Sequence, residues 1–499
     1  MSGSLGACTV VVPTIGRPSL DVLLDALATA EGPRPAELVL VDDRPAGDPL
    51  AVERPGLPPV RVVRTGGGGP ARARNLGWRT ARTEWIAFLD DDVVPDPDWY
   101  ARLAGDLAAL PADAAGSQGR VRVPLPADRR PTDWERGTAG LATSSWITAD
   151  LAYRRAALAA VGGFDERFPR AFREDSDLAL RVLDTGARLT RGERWITHPV
   201  RPVDRWVSVR VQAGNADDVL MRRLHGPTWR ARADAALGRR PRHLAVTGAA
   251  LAAVGLAAAR RPRAAALAAL GWAAGTAEFA WARIAPGPRT RAEVATMALT
   301  SVAIPPLATW HVLRGVAQHR GVPPWRGLPD LVLFDRDGTL VHDVPYNGDP
   351  ALVRPVDGAR AALDALRARG VRIGLVSNQS GVGRGMLTMP QVAAVNARLA
   401  ELLGPFDTVQ VCPHAPEDGC ACRKPAPGMV EAACAELGVD PARCVVIGDI
   451  AADVAAAEAA GAVGILVPTP VTRPEEVTAA VHRAPTLTEA VDDVLAGEW

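Results

Sequence analysis

A chain of 499 residues is too long for one ordinary domain and suggests two to four. Its 57 Lys and Arg against 56 Asp and Glu leave a net charge of +1, so no bulk field points to nucleic acid or to an acidic tail. Six cysteines, three of them within Cys412–Cys422, and no basic stretch ahead of the apolar run after Gly6 point to metal ligation in a reducing, cytosolic setting, with no leader and no disulfide framework.

Residues 1–235 alternate short β-branched runs (Thr9–Val12, Leu38–Val41, Val60–Val63, Trp85–Leu89) with helical segments, which predicts an α/β domain on a mainly parallel sheet. Acids close two of these runs: Asp42 and Asp43, then Asp90, Asp91 and Asp92. A strand-end acidic cluster suits a divalent metal bridging the two phosphates of a nucleotide sugar. The run Gly66–Gly69 reads as a flexible loop first and a phosphate cradle second, because no nucleotide-hydrolase lysine accompanies it. Gly162-Gly163-Phe164-Asp165-Glu166 then precedes Arg173-Glu174-Asp175-Ser176-Asp177-Leu178 and a helix.

That order of elements resembles family 2 glycosyltransferases of the A-type fold over residues 7 to 225. The resemblance implies that Asp42 or Asp43 contacts the nucleotide base and ribose. Asp90 and Asp92 would bracket a Mn²⁺- or Mg²⁺-diphosphate, with Asp92 the direct ligand, and Asp175 would be the general base. It also implies an inverting single displacement, with Arg72, Arg74 and Asn75 near the donor. His198 reads as an ordinary packed histidine before a metal ligand. The glycosyl acceptor is not specified by these residues, and a non-catalytic sugar-binding module is the alternative for this half.

Residues 236–320 are Ala- and Leu-rich. The apolar stretches His243–Ala259, Ala264–Ala285 and Val294–Ala317 are flanked by Arg239, Arg240, Arg242, Arg260, Arg261 and Arg263. The first is short for a span, the second holds Glu278 and Arg283, and the third holds Pro305-Pro306. Arginines suit anionic headgroups, and cytosolic substrates on both sides require an even number of crossings. The expectation is a membrane-associated hairpin with a third helix at the interface, on the cytoplasmic face; a soluble helical bundle is the alternative.

A Gly- and Pro-rich seam, 321–329, leads into residues 328–499, where strands are expected at Leu331–Phe334, Arg372–Ser377, Thr408–Cys412, Cys444–Ile447 and Gly464–Val467. Helices are expected at Gly358–Arg369 and Pro390–Leu403. The first strand ends in Asp335 and Asp337, two carboxylates suited to nucleophile and acid/base at the carboxyl edge of an open sheet. The second ends in Ser377 and Asn378, a hydroxyl and an amide for phosphoryl oxygens. Arg423 and Lys424 bring positive charge, Asp449 closes a third strand as a Mg²⁺ acid, and Asp453 orients it. Cys412, His414, Cys420 and Cys422 form two close pairs, as a closed, structural Zn²⁺ site requires. Cys8, Cys434 and Cys444 read as buried packing residues.

This succession resembles the haloacid dehalogenase superfamily of phosphohydrolases, a Rossmann-like fold. The resemblance implies Asp335 as nucleophile and metal ligand, Asp337 as acid/base touching Mg²⁺ through its carbonyl, Ser377 and Lys424 as phosphate binders, and Asp449 as Mg²⁺ ligand. Within that superfamily the zinc loop is shared by the D,D-heptose 1,7-bisphosphate phosphatases and the histidinol-phosphate phosphatases. Ser377-Asn-Gln-Ser-Gly381-Val-Gly-Arg384-Gly and Cys422-Arg-Lys-Pro-Ala-Pro-Gly-Met429 favour the first, with Arg384 and Arg423 near a sugar phosphate. The expected whole is a bifunctional enzyme, its donor an activated heptose by association with the second half.

Overall fold

In the computed structural model, residues 5–497 and 499 are described; residues 1–4, part of the segment read for a leader, lie outside them. The chain divides into two compact units, Met1–Pro324 and Trp325–Trp499, with the seam inside the predicted linker.

The first unit is built on an eight-stranded sheet. Its strands are β1 (Cys8–Thr14), β2 (Glu37–Asp42), β3 (Val60–Arg64), β4 (Trp85–Leu89), β5 (Val94–Pro95), β6 (Ala114–Arg122), β7 (Asp150–Arg154) and β8 (Arg188–Thr197). They lie in the order β3-β2-β1-β4-β7-β6-β8-β5. The first four are parallel, and continuous apolar runs such as Val10–Val12 and Leu38–Val41 are buried on both faces. The sheet as a whole is mixed: β6 and β8 also pair parallel, so parallel pairings outnumber antiparallel ones but are not confined to one half. The β4–β7, β6–β7 and β5–β8 pairings are antiparallel. The β6–β8 strands escaped the sequence pattern because their core is polar. Arg194 is buried and donates to Asp150 (2.7 Å), Asp106 (3.0 Å) and the Ser117 hydroxyl (3.0 Å), so charged residues here face inward as a satisfied network.

The apolar middle segment forms three helices, Arg240–Ala258, Pro262–Ile284 and Arg291–Gln318, which pack on one another within this same unit. Two of them, Arg240–Ala258 and Arg291–Gln318, are long and apolar enough to cross a membrane by length and composition. Pro305-Pro306 does not interrupt the last one, contrary to its reading as a flaw in a span. Pro305 is buried among neighbours, and the Thr309 hydroxyl donates back to the Pro305 carbonyl (2.9 Å), an i−4 bond added to the helix one turn beyond the proline pair.

The second unit is a five-stranded parallel sheet, β11-β10-β9-β12-β13. The strands are β9 (Leu331–Phe334), β10 (Arg372–Asn378), β11 (Thr408–Cys412), β12 (Cys444–Gly448) and β13 (Val463–Leu466). Side-chain alternation splits β9 between two cores: Val332 and Phe334 face one cluster, Leu331 and Leu333 the other. The helix Ala359–Ala368 presents Ala362, Leu363 and Leu366 to the first. Phe334 registers with Leu375 of β10 and Ile447 of β12, so β9 and β12 end within a residue of one another while β10 runs on to Asn378 beside them. That common edge is where the strand-end acids gather.

Candidate functional site

Asp335 leaves β9 at this edge, its amide bonded to the Ile447 carbonyl (2.9 Å). Lys424 Nζ reaches it from the loop after Cys422, and also meets Asp453 (2.6 Å) and the Val376 carbonyl (2.9 Å). The donor oxygens of Asp335, Asp449 and Asp453 lie within 4.8 Å of one another, an all-oxygen set that fits a hard divalent cation. Burial pushes the Asp335 carboxyl up to about 7 against the pull of Lys424, and burial followed by the Asp453 charge raises Asp449 to about 6. Gly338 has φ +86°, and a Cβ there would sit 2.4 Å from an Asp449 oxygen, so only glycine lets the chain turn away beneath the cluster.

The Asp337 carboxylate is not among those three. Arg336, itself buried, holds it at 3.0 and 2.9 Å, and Gln379 Nε2 donates to it at 3.0 Å. Gln379 also donates to the Ser377 hydroxyl (2.8 Å), joining acid/base and phosphate-binding positions. Neither Arg336 nor Gln379 was singled out from sequence; the period-two spacing of Ser377 and Gln379 on one strand face was the available signal. Asn378, read as a phosphoryl-oxygen holder, has a different position. Its amide accepts from Lys424 N (3.1 Å) and donates to Lys424 O (3.1 Å), so it holds the lysine in place.

Cys412, His414, Cys420 and Cys422 converge, their sulfurs 3.3–3.6 Å apart and His414 Nδ1 3.3 Å from Cys422 Sγ. The sulfurs are well beyond the S–S bond length of about 2.05 Å, and S₃N convergence fits a tetrahedral soft metal. Arg423 leans back on the His414 carbonyl (3.4 Å). Arg384, exposed, donates to the Tyr346 hydroxyl (2.7 Å). Cys8, Cys434 and Cys444 are buried, as read.

The first unit holds a cleft of about 740 Å³ at the carboxyl end of β1 and β4, lined by Asp43, Asp90, Asp91, Asp92, Asp175 and His198 among others. Asp92 faces Arg201 Nε (3.1 Å) and His198 Nε2 (3.6 Å), so His198 is packed but packed against the acid expected to bind metal. Burial, with the neighbouring Asp90 charge, raises the Asp92 carboxyl. Asp91 is taken up by Thr14 Oγ1 (2.7 Å) and Arg17 (2.9 Å). Asp175 opens the Glu174–Asp184 helix, and desolvation raises its carboxyl although Arg74 opposes this. Asp42 is buried and paired with Arg44 (2.8 Å) and Arg64 (3.1 Å), away from the residues lining the cleft, whereas Asp43 lines it.

Three expectations around the donor change. The glycine run is neither free loop nor open cradle: Asp43 accepts from Gly68 N (2.7 Å) and Gly69 N (2.9 Å), using the amides a phosphate would need. Arg74 is buried and bridges Asp90 (2.8 Å) to Glu174 (2.7 Å), tying the two acidic motifs together. Asn75 is buried, bonded through both ends of its amide to Phe164 and further held by Glu166 and Trp78, which makes it a clamp on the Gly162–Glu166 turn. Glu174, pushed up to about 8 by burial and then by Asp175, and Arg201 were not distinguished from sequence.

Residues 9–157 match the model of glycosyl transferase family 2, and residues 421–495 match the HAD-hydrolase-like model. The probable D-glycero-D-manno-heptose-1,7-bisphosphate 7-phosphatase of Thermoplasma acidophilum is 37% identical over 122 residues, 24% of this chain and 76% of that protein. The D-glycero-beta-D-manno-heptose-1,7-bisphosphate 7-phosphatase of Pseudomonas aeruginosa is 35% identical over 144 residues, 28% of this chain and 81% of that protein. The crystal structure of the D,D-heptose 1.7-bisphosphate phosphatase from B. bronchiseptica complexed with magnesium and phosphate shares 29% identity over 33% of this chain and 98% of that chain, with a TM-score of 0.31. Through its second unit the chain therefore belongs to the HAD-like phosphatases related to D,D-heptose 1,7-bisphosphate phosphatase, joined to a glycosyl transferase family 2 domain.

Proposed function

We propose that the second unit removes the 7-phosphate of D-glycero-D-manno-heptose 1,7-bisphosphate, and that the first transfers a sugar from a nucleotide sugar. The observation that carries the phosphatase reading is the Asp335–Lys424–Asp453 contact beside Asp449, reached by a lysine two residues beyond a four-ligand Cys/His cluster. Asp335 Oδ forms a bond to phosphorus while the bond from phosphorus to the sugar oxygen breaks. Asp337 gives its proton to that departing oxygen, then takes one from the water that attacks the aspartyl-phosphate. Arg336 and Gln379 fix the Asp337 carboxylate during both transfers. Lys424 and Ser377 hold the phosphoryl oxygens, and Arg384 and Arg423 address the rest of the sugar phosphate. Asp335, Asp337 and Asp449 would hold Mg²⁺, which when bound offsets charge on the phosphoryl group. Zn²⁺ at Cys412, His414, Cys420 and Cys422 would be structural.

Because the Asp335 and Asp449 protons must leave before a cation binds, the apparent Mg²⁺ affinity should fall about tenfold per pH unit between about 7 and about 6, more steeply below about 6, and level off above about 7. Calorimetric titration across that range checks this. Phosphate release from heptose 1,7-bisphosphate compared with histidinol phosphate tests the substrate: faster release from histidinol phosphate would replace the heptose reading.

In the first unit Asp175 takes the acceptor proton as the sugar leaves the nucleoside diphosphate, and Asp90 and Asp92 would hold Mn²⁺ or Mg²⁺ there. Asp92→Asn should lower diphosphate release about 10²- to 10³-fold on a nucleotide-sugar panel that includes an activated heptose. Wild-type turnover of UDP-glucose alone would remove the heptose donor. The helical segment, drawing on cytosolic substrates either side, would sit at the cytoplasmic face of a membrane.

A further inference from the structure

The cleft of the first unit is lined by the acids and arginines described above and, as its apolar wall, by Trp134 and Leu141 of the segment 133–142 together with Phe172 and Val211. Arginines edge this apolar lining: the Trp134 indole donates to the Arg201 carbonyl (3.1 Å) and Arg173 lies over the Phe172 ring. Phe172 is 38% and Val211 51% exposed, so this wall runs out to the surface. A sugar's hydroxyls find no partners on such a surface, whereas an alkyl chain gains from burial along all of it.

Both elements of the apolar wall are fastened to the second and third of the middle helices, Pro262–Ile284 and Arg291–Gln318. Arg283, buried in the Pro262–Ile284 helix, donates to Asp133 (2.9 Å), Thr300 (2.8 Å) and Ser301 (3.1 Å). Arg136 returns a bond to the Arg283 carbonyl (2.9 Å), and Asp133 N donates to Glu293 (3.1 Å). On the other side the Arg291–Gln318 helix packs on Asn215–His225 and on the turn Val211–Gly214. Gly315 makes this possible, since a Cβ there would lie 2.8 Å from Ala216 Cα. Gly214 in turn lies under Phe172, where a Cβ would meet the ring at 2.7 Å.

The same helices carry apolar side chains that nothing in the unit covers: Leu251 is 69%, Leu267 72% and Trp310 60% exposed. Arginines 239, 240 and 242 begin the first helix, and 260, 261 and 263 surround the turn into the second. Exposed leucine and tryptophan edged by arginine complement an anionic bilayer, with hydrocarbon for one and headgroups for the other. We propose that the acceptor is a sugar hydroxyl carried on a long apolar tail, with the tail laid along the Trp134–Leu141–Phe172–Val211 wall and rooted in that bilayer. This rests on the glycosyltransferase reading and adds the acceptor class. In the step itself the acceptor oxygen bonds to the anomeric carbon and its proton passes to Asp175. The anomeric carbon–oxygen bond breaks, its electron pair leaving on the nucleoside diphosphate.

The test uses the full chain with phosphatidylglycerol–phosphatidylethanolamine vesicles. Hydrogen exchange should slow in residues 134–142 and 206–214 as well as in the three helices when the protein co-floats with vesicles. Protection of the helices alone would overturn the acceptor inference, and failure to float would overturn it together with the bilayer. Dodecyl glycosides in the vesicles should exceed the matching methyl glycosides by about 100-fold in kcat/KM, from burial of a few methylenes. Val211→Glu and Phe172→Glu, with unchanged melting temperatures, should each cut that ratio about tenfold. Equal rates for both glycosides would overturn the proposal while leaving the glycosyltransferase reading intact. No diphosphate release with any donor, despite the exchange pattern, would instead count against that reading.

Discussion

Asp335→Asn is expected to reduce phosphate release by at least about 10⁴-fold, the scale of losing a nucleophile. An amide cannot form the acyl phosphate, yet it keeps the shape of the carboxylate and can remain beside Lys424. Lys424 retains Asp453 and the Val376 carbonyl as partners, so the lysine is not left buried without a counterion. The neutral side chain also removes a group whose charged form is disfavoured by burial. The variant should therefore melt no lower than the parent and leave the metal content of the Cys/His cluster unchanged. Stopped phosphate assays, thermal melting and metal analysis check the three parts. Undiminished hydrolysis would remove Asp335 from its role.

Cys420→Ser is expected to release the zinc and lower kcat/KM of the phosphatase about 10- to 100-fold. The loop it closes is connected to the reacting groups on both sides. Lys424 follows Cys422 by two residues, and the Gly428 amide bonds back to Ala421 (3.1 Å). Gly383 N donates to the Pro413 carbonyl (2.8 Å), which links the cysteine loop to the short helix preceding Arg384. With no metal there, both arms would loosen, the one carrying Lys424 and the one leading to Arg384. The effect stays below that of Asp335→Asn because Asn378 grips the Lys424 backbone independently of zinc. Metal content per chain and steady-state kinetics measure it, and full activity without zinc would show that the loop does not position the lysine.

The readable parts of this molecule are those where one physical requirement dominates. Strands β9, β10 and β12 are buried on both faces, so their apolar runs mark them within a residue or two, and the acids after β9 and β12 mark the site edge. Cys412, His414, Cys420 and Cys422 converge because metal spacing is local in sequence. What stayed hidden depends on long-range pairing. Arg194 with Asp150, Asp106 and Ser117 makes a polar core that looks like surface when read in line. Arg74 and Glu174 are one hundred residues apart and meet only after folding. Asn378 turns to the Lys424 backbone and its neighbour Gln379 meets the acid/base, because chain direction, not side-chain type, decides which one faces it.

At the margin of the second unit, Trp499 is 1% exposed, its indole nitrogen donates to the Gly327 carbonyl (2.7 Å), and Arg326 N donates to the Gly497 carbonyl (3.0 Å). Entry and exit of this unit are thus stitched side by side. A polypeptide with adjacent ends can be grafted onto a host, or have its ends rejoined and reopened elsewhere, without stretching its sheet. A bridge of a few glycines from 499 to 325, with a new opening at the exposed Gly419 turn avoided in favour of Gly370, should yield a permuted phosphatase that still folds.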